Sequence, residues 1–459
     1  MAQNNLHIEA KKVLKRYLEN ILSKSKLSNG SVDFDENTYK EIYKYIGEAK
    51  KLKGIWMRDT DLYGLIYKQT SDYLTENIKE RWKTSGYLKD IIGDNGIKNL
   101  SDRIIAYLES IPRKYFVYFE LPSVKGIGVK EINLTDDISL IEKVSEDDFS
   151  EIKIPMSSPS WLVRALGGVG SYGNYSITKG QLYIRIQTSG YADGTLESSA
   201  VKKAYSKIKQ FILLAKIRDL LVEKEKNITN FWGLSGYPTE QGSPIFVVYD
   251  KEPDTEKYLI TLPKIVSEYI SKVRIDEDIL KPDRYELLVE NFENKDALTP
   301  NDKVKILQKR FQYPIKLLKT PDTDADTEPI KTAIEWAFDS LTNDNETVAF
   351  IQACIGLEAI LGDDEKEEPQ KSLQEKLADR CAYLLGKNFS ERKNLRKNFI
   401  KLYQTRSKLI HGRKAELDKE HRGFLRFSQN ILSRIIWKEI SYIEDKEEIS
   451  DTLKQYLKN

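Results

Sequence analysis

The decapeptide Tyr403-Gln404-Thr405-Arg406-Ser407-Lys408-Leu409-Ile410-His411-Gly412 carries the residue types in this chain best suited to chemistry. Leu395, Phe399 and Leu402 step by four and three, and Leu409 and Ile410 continue the stripe, which is the period of a helix packed along one face. Arg406 falls on that stripe, four after Leu402 and three before Leu409. A permanent cation left unpaired there would cost on the order of 3–5 kcal/mol, so it calls for a carboxylate, a wet cleft or a ligand phosphate. His411 comes five positions later, about 140° round an unbroken helix. Gly412 is the usual left-handed stop, which puts His411 at the frayed end, where the long arginine can reach toward it. A guanidinium orients phosphoryl oxygens through two donors and holds the charge that grows on them. An imidazole, with a reference pKa of about 6.5, moves protons near neutral pH. The same two residues also make a salt-bridged arginine at the edge of a core and a histidine that caps helix carbonyls.

The surroundings add charge. From Lys387 to Lys414 there are ten Lys or Arg against one acid, Glu391, in a chain whose formal charge is only +2. Arg392, Arg396, Lys397, Lys401, Lys408, Arg413 and Lys414 could follow a phosphate backbone, or could simply form a solvated helix face. In the earlier helix pattern from Thr347 to Leu361, the residues Ile351, Cys354, Ile355 and Leu361 form an apolar stripe with Glu358 on it. A buried carboxylate needs a partner, and Arg406 is the candidate.

The string LYQTRSKLIHG, preceded by AFIQACIGLEAILGD and followed by RGFLRFSQNILSRIIWKEISYI, resembles the Apea-like branch of the HEPN superfamily over residues 327 to 445. That signature is an arginine, four to six residues and a histidine, with a polar residue after the arginine; here these are Arg406, Ser407 and His411. The resemblance implies a metal-independent endoribonuclease of a prokaryotic antiphage or conflict system, with tRNA as a candidate target and no cofactor. The 2′-OH of the RNA would attack the adjacent phosphorus. Arg406 would stabilise charge, His411 would transfer protons, Ser407 would position RNA or the catalytic groups, and Glu358 would support the arginine. Arg396, Lys397, Lys401, Lys408, Arg413 and Lys414 would hold the RNA. A homodimer through the C-terminal bundle would bring two Arg–His sets into one cleft. The upstream residues would sense a phage-derived trigger or restrain the nuclease. The same basic helix also fits a non-catalytic HEPN module that binds RNA, nucleotide or a partner protein.

These residues need elements to position them. At 459 residues the chain exceeds one ordinary core, and its 40% hydrophobic and 31% charged composition is that of a globular protein. The expected class is multidomain α+β. A helical N-terminal region spans 1–112, with helices at Leu6–Leu22, Tyr39–Lys51, Leu62–Tyr87 and Ile97–Ser110. A mixed α+β domain follows over 113–275, where period-two segments at 115–122, 128–134, 137–144, 181–189, 245–250 and 257–262 read as strands and Glu197–Leu221 as a helix. Residues 276–326 form a helical connector and linker, whose acidic, turn-rich TPDTDADTEP stretch at 320–329 marks the main boundary. Residues 327–445 give a leading helix from Pro329 to Leu341 and four more at Thr347–Leu361, Leu373–Leu385, Glu391–His411 and Lys419–Ile443. Those four are expected as an up-and-down bundle of HEPN type, with Asp363–Gln370 as an exposed acidic loop and 446–459 as a tail.

Several classes are excluded or disfavoured. Apolar runs such as Phe211–Ala215 are too short for a bilayer and the N-terminus lacks a signal pattern, so no membrane association and a cytoplasmic location are expected. Cys354 and Cys381 lie in apolar helical contexts and read as reduced core thiols. His7, His411 and His421 are too few and too scattered for a zinc cluster. Gly168-Val169-Gly170-Ser171-Tyr172-Gly173 spells G-x-G-x-x-G, but a strand-like segment follows where the pyrophosphate-binding helix should start. No G-x4-G-K-[ST] occurs, which excludes a P-loop NTPase.

Overall fold

The structure, a computed structural model, describes residues 6–121, 129–142, 182–217, 220–223, 244–250, 257–275, 299–320, 324–362, 372–412, 416–419 and 421–456. The chain is mixed α+β, with helices gathered toward its C-terminus. It divides into two compact units. The first comprises Met1–Val117, Gln187–Ala204 and Phe246–Ile260; the second comprises Tyr118–Ile186, Tyr205–Ile245 and Thr261–Asn459. The G-x-G-x-x-G run and the acidic 363–370 segment lie outside the described residues. Among the described residues no helix is long and apolar enough to cross a membrane.

The first unit is built on α1 (Ile8–Lys24), α2 (Glu36–Lys53), α3 (Asp59–Asn77) and α4 (Leu88–Ser110). Asp35 caps α2, accepting from the Thr38 N–H at 2.8 Å. α4 bends at Gly93, whose φ of +69° suits a residue without Cβ. Leu14, Leu18, Ile21, Leu62, Leu65, Ile66, Leu100, Ile104 and Leu108 are buried, and they recur at the three- and four-residue spacing of the apolar stripes. The helix expected from Leu62 to Tyr87 stops at Asn77. Gly86–Tyr87 becomes a short strand, β3, because it pairs antiparallel with β1 (Lys26–Ser28), which also pairs with β2 (Ser31–Asp33).

The expected period-two segments form strands. These are β4 (Arg113–Leu121), β5 (Glu131–Asn133), β6 (Ile138–Glu142), β7 (Leu182–Gly190), β9 (Pro244–Tyr249) and β10 (Lys257–Thr261), in one sheet of order β10-β9-β4-β7-β6-β5. Ile138 stands opposite Ile186 and Glu131 opposite Ile141, both in antiparallel register. Like β1 to β3, two more short strands escaped the sequence reading: β8 (Leu221–Glu223) and β11 (Val273–Ile275) pair with each other. α5 (Ser199–Ile217) and α6 (Lys264–Lys272) precede them, and α7 (Pro300–Lys319) follows. Within the second unit, Phe211 of α5 stacks on Phe311 of α7, with ring centroids 5.3 Å apart.

The last helices are α8 (Glu328–Thr342), α9 (Glu346–Leu361), α10 (Leu373–Leu385), α11 (Phe389–Ile410) and α12 (Arg422–Tyr456). The last runs through residues 446–456, expected as a tail, and starts later than Lys419. α9 is apolar nearly all round and packs against the other four, the position such a helix takes. Its contacts fix the directions of its neighbours. Ser340 Oγ donates to Ala349 O at 2.7 Å near the α8–α9 turn, so α8 runs antiparallel to α9. Arg422 meets Glu346 at 2.8 Å, and Leu432 lies against Gly356, so α12 runs parallel to α9. Gln374 Nε2 reaches Ile400 O at 3.2 Å and Asp379 meets Arg396, so α10 and α11 form an antiparallel hairpin. Tyr403 and Arg406 reach Glu358, while Leu417 N–H reaches Thr347 Oγ1 at 2.9 Å, so α11 descends α9 in the opposite sense. The helices that alternate in direction are therefore α8, α9, α11 and α12. The sequence reading had set α8 aside as a leading helix and counted α10 instead.

Candidate functional site

α11 opens at Asn388, whose side-chain oxygen accepts the Glu391 N–H at 2.9 Å. It closes as its glycine foretells. His411 N–H donates to Ser407 O at 3.0 Å, Gly412 N–H to Leu409 O at 3.2 Å, and Gly412 has φ +65°. The buried stripe is Phe399, Leu402, Tyr403, Thr405 and Leu409, whereas Ile410 turns to solvent.

Arg406 finds the carboxylate its position requires. Its Nη2 lies 2.9 Å from Glu358 Oε1 and 3.1 Å from Oε2. Both side chains are about three-quarters buried. Tyr403, three residues before Arg406 and on the same face, donates its hydroxyl to Glu358 Oε1 at 2.6 Å. Its ring stacks on Phe399 at 5.3 Å and lies 5.9 Å from Arg406 Cζ. Burial first, then the bond to Glu358, holds the phenol far above its ordinary range, so it stays a donor. Cys354, one turn before Glu358, is fully buried and its thiol is pushed up by that burial. Arg406 Nε is buried without a hydrogen-bond partner. With Nη2 committed to Glu358 and Nε buried, Nη1 is the guanidinium nitrogen without a partner among the described residues. This is narrower than the two free donors expected from the sequence.

His411 is exposed, and its ring makes no hydrogen bond, ion pair or ring contact among the described residues. It neither caps carbonyls with its side chain nor bonds to Arg406. Ser407 is also exposed, with its hydroxyl unpartnered among the described residues. Sequence reasoning passed over Tyr403 as a contributor, although its three-residue spacing from Arg406 was the available signal.

The basic residues separate into two groups. Arg396 is engaged by α10: its Nε lies 2.6 Å from Asp379 Oδ1 and its Nη2 3.7 Å from Glu375. The hydrogen bond that Arg396 donates to Asp379 raises its pKa further. Arg392 Nε donates to Gly386 O at 3.1 Å. Lys397, Lys401 and Lys408 are exposed, without ion pairs among the described residues. They fall within about 40° on the helical wheel and form one stripe leading to the His411 end of α11, about 180° from Arg406 in the case of Lys397. Arg413 and Lys414 lie outside the described residues. Among the described residues no cluster of three His, Cys, Asp or Glu is placed to hold a metal ion.

No protein family, curated protein or solved structure matches the chain.

Proposed function

We propose that residues 327–445 form a HEPN-type ribonuclease module that cleaves RNA, with tRNA as the first candidate, through attack by the substrate's own 2′-OH. The observation that carries this reading is an arginine fixed by a carboxylate (Arg406 on Glu358) and, five residues on at the same helix end, a solvent-facing histidine whose ring is unengaged among the described residues. Arg406 would meet the phosphoryl oxygens through Nη1, and His411 would move the proton. Ser407 would contact the RNA, which would track Lys397, Lys401 and Lys408. One chain supplies one such histidine and turns its lysine stripe away from Arg406, whereas the reaction needs a base and an acid on opposite sides of the phosphate. Two chains, paired through the C-terminal helices, would supply both. The upstream region would restrain the nuclease in the cytoplasm until a phage-derived trigger arrives.

A second reading rests on the same separation. The stripe of Lys397, Lys401 and Lys408 with exposed His411 suffices for a non-catalytic HEPN module binding RNA, nucleotide or a partner protein, and Arg406–Glu358 would then be a structural ion pair. One experiment divides the two. The purified chain is incubated with total tRNA in excess EDTA, beside Arg406→Ala and His411→Ala, and the product ends are mapped. Cleavage leaving 2′,3′-cyclic phosphates and lost in both folded variants is the expected result. RNA binding without cleavage under any trigger tried would favour the binding module.

A further inference from the structure

Glu358 is the only partner that holds Arg406 by ion pair among the described residues. Its side chain is long, has three torsions of its own, and is itself a quarter exposed. Held by Arg406 alone, the pair would be two flexible chains fixing each other, and ordering both costs rotamer freedom. Tyr403 supplies a rigid reference. It has two side-chain torsions, is 6% exposed, and lies flat on Phe399 with the ring planes 14° apart. From that seat its hydroxyl donates to Glu358 Oε1, the oxygen that also receives Arg406 Nη2 at the shorter of the two distances. The hydroxyl is a donor with no other bond among the described residues and stays protonated, so it favours one orientation of Glu358.

We propose that Tyr403 is the positioning residue of the site: through Glu358 Oε1 it fixes the guanidinium of Arg406 so that Nη1 is presented to a phosphate oxygen. This rests on the nuclease reading for its role in cleavage, although the positioning itself does not. Tyr403 touches no reacting atom. Its contribution is that the arginine does not have to be ordered when the substrate binds. Ser407 and His411, which carry no such support, would be ordered by the RNA itself.

The test uses the full chain with 15N-labelled arginine side chains, comparing wild type, Tyr403→Phe and, to assign the signal, Arg406→Lys. Phenylalanine keeps the stack on Phe399 and removes only the hydroxyl. In wild type the Arg406 Nη protons are expected as resolved, slowly exchanging signals; in Tyr403→Phe they should merge as the guanidinium rotates freely. In the tRNA assay the same variant should lose about 10- to 100-fold in kcat, with KM changed by less than about twofold because RNA binding rests on the lysines. Unchanged Arg406 signals in folded Tyr403→Phe overturn the proposal, whatever happens to cleavage. A chain that cuts no RNA, yet loses the resolved signals on substitution, upholds the positioning role and removes the nuclease reading instead. Should Tyr403→Phe not fold, Phe399→Leu decides: it keeps the hydroxyl but loosens its seat, and should broaden the Arg406 signals, while sharp, unchanged ones would again overturn the idea.

Discussion

The His411 ring makes no contact that holds the fold together among the described residues, so removing it should unfold nothing. An exposed imidazole without a partner predicts that His411→Ala changes stability by no more than about 0.5 kcal/mol, read as an unchanged denaturation midpoint. A drop beyond about 1 kcal/mol would mean that the ring is part of a buried network after all. Glu358 is the opposite case. Glu358→Ala would leave the Arg406 guanidinium three-quarters buried with no anion, and we expect a loss of about 1–3 kcal/mol, below the full cost of breaking a buried pair because water still reaches the site. Under the proposed nuclease reading the contrast would let catalysis be read apart from folding: His411→Ala would report chemistry, and Glu358→Ala would report both. A third titratable group is out of place in another way. Lys53 of the first unit is 5% exposed, its ammonium donates to Ile111 O, and burial lowers its pKa. The folded state therefore releases that proton more easily than the unfolded chain does. The cost of burying the charge is full below the folded pKa and fades as pH rises toward the unfolded lysine value of about 10.4. Denaturant titrations from pH 7 to 10 should show wild type gaining on Lys53→Met as pH rises; a constant difference would mean that Lys53 keeps its ordinary pKa.

Period and punctuation made the helices legible, but not the phase of every face. Leu373–Leu385 matches α10 to the residue, and Gly412 stops α11 where its left-handed φ allows. For α9 the sequence suggested a stripe of Ile351, Cys354, Ile355 and Leu361. In the structure Ala349, Phe350, Ala353, Cys354, Gly356, Leu357 and Leu361 are buried, while Ile351 and Ile355 are only partly so. A helix apolar all round has no unique stripe, and only its neighbours select one. The Arg406–Glu358 pairing was legible nonetheless, because a charge on an apolar stripe narrows its possible partners sharply. What no pattern revealed is the close approach at Gly356. A Cβ there would come within 2.8 Å of Leu432 Cδ2, 3.2 Å of Trp336 Cβ and 3.3 Å of Ala333 O, so α8, α9 and α12 meet across a hydrogen atom. Leu432 can shift, but the other two atoms belong to helix backbone or its root. Gly356→Ala should therefore cost about 1–3 kcal/mol by overpacking, outweighing alanine's better helix propensity. A stabilised Gly356→Ala variant, measured by urea denaturation, would show that the three helices can spread.

At the scale of the molecule, the described residues at the two ends of the segment that composition marked as a linker make side-chain bonds. In the 320–329 stretch, Thr327 is 2% exposed and its hydroxyl meets Asp324 Oδ2 at 2.8 Å and Thr320 Oγ1 at 3.1 Å. Lys331 Nζ donates to Thr320 O at 2.6 Å, which ties the end of α7 to the start of α8. Acidic, Thr-rich sequence has the composition of a flexible tether and equally that of a side-chain-bonded turn, and only contacts such as that of Lys331 with Thr320, eleven residues apart, distinguish the two. The second unit, moreover, includes chain on both sides of this point. Ser206 of α5 bonds to Glu335 of α8, Lys209 Nζ lies 2.6 Å from Asp339, and Tyr269 of α6 packs edge-on against Phe338 at 5.6 Å. A fragment of residues 327–459 would uncover Phe338 and leave Glu335 and Asp339 without their partners. It keeps Arg406, Glu358, Tyr403 and His411, so it is the natural test of the proposal that a nuclease module is restrained by what precedes it. Folding comes first, however. We expect that fragment to self-associate or to melt at least about 5 °C below the full chain, whereas a fragment beginning at residue 199 retains α5 to α7 and should stay closer to it. Size-exclusion and melting curves of the two, taken before any RNA is added, check this. A monodisperse, fully stable 327–459 fragment would mean that α8 does not need its contacts with α5 and α6, and any change in RNA cleavage could then be assigned to the missing segments themselves.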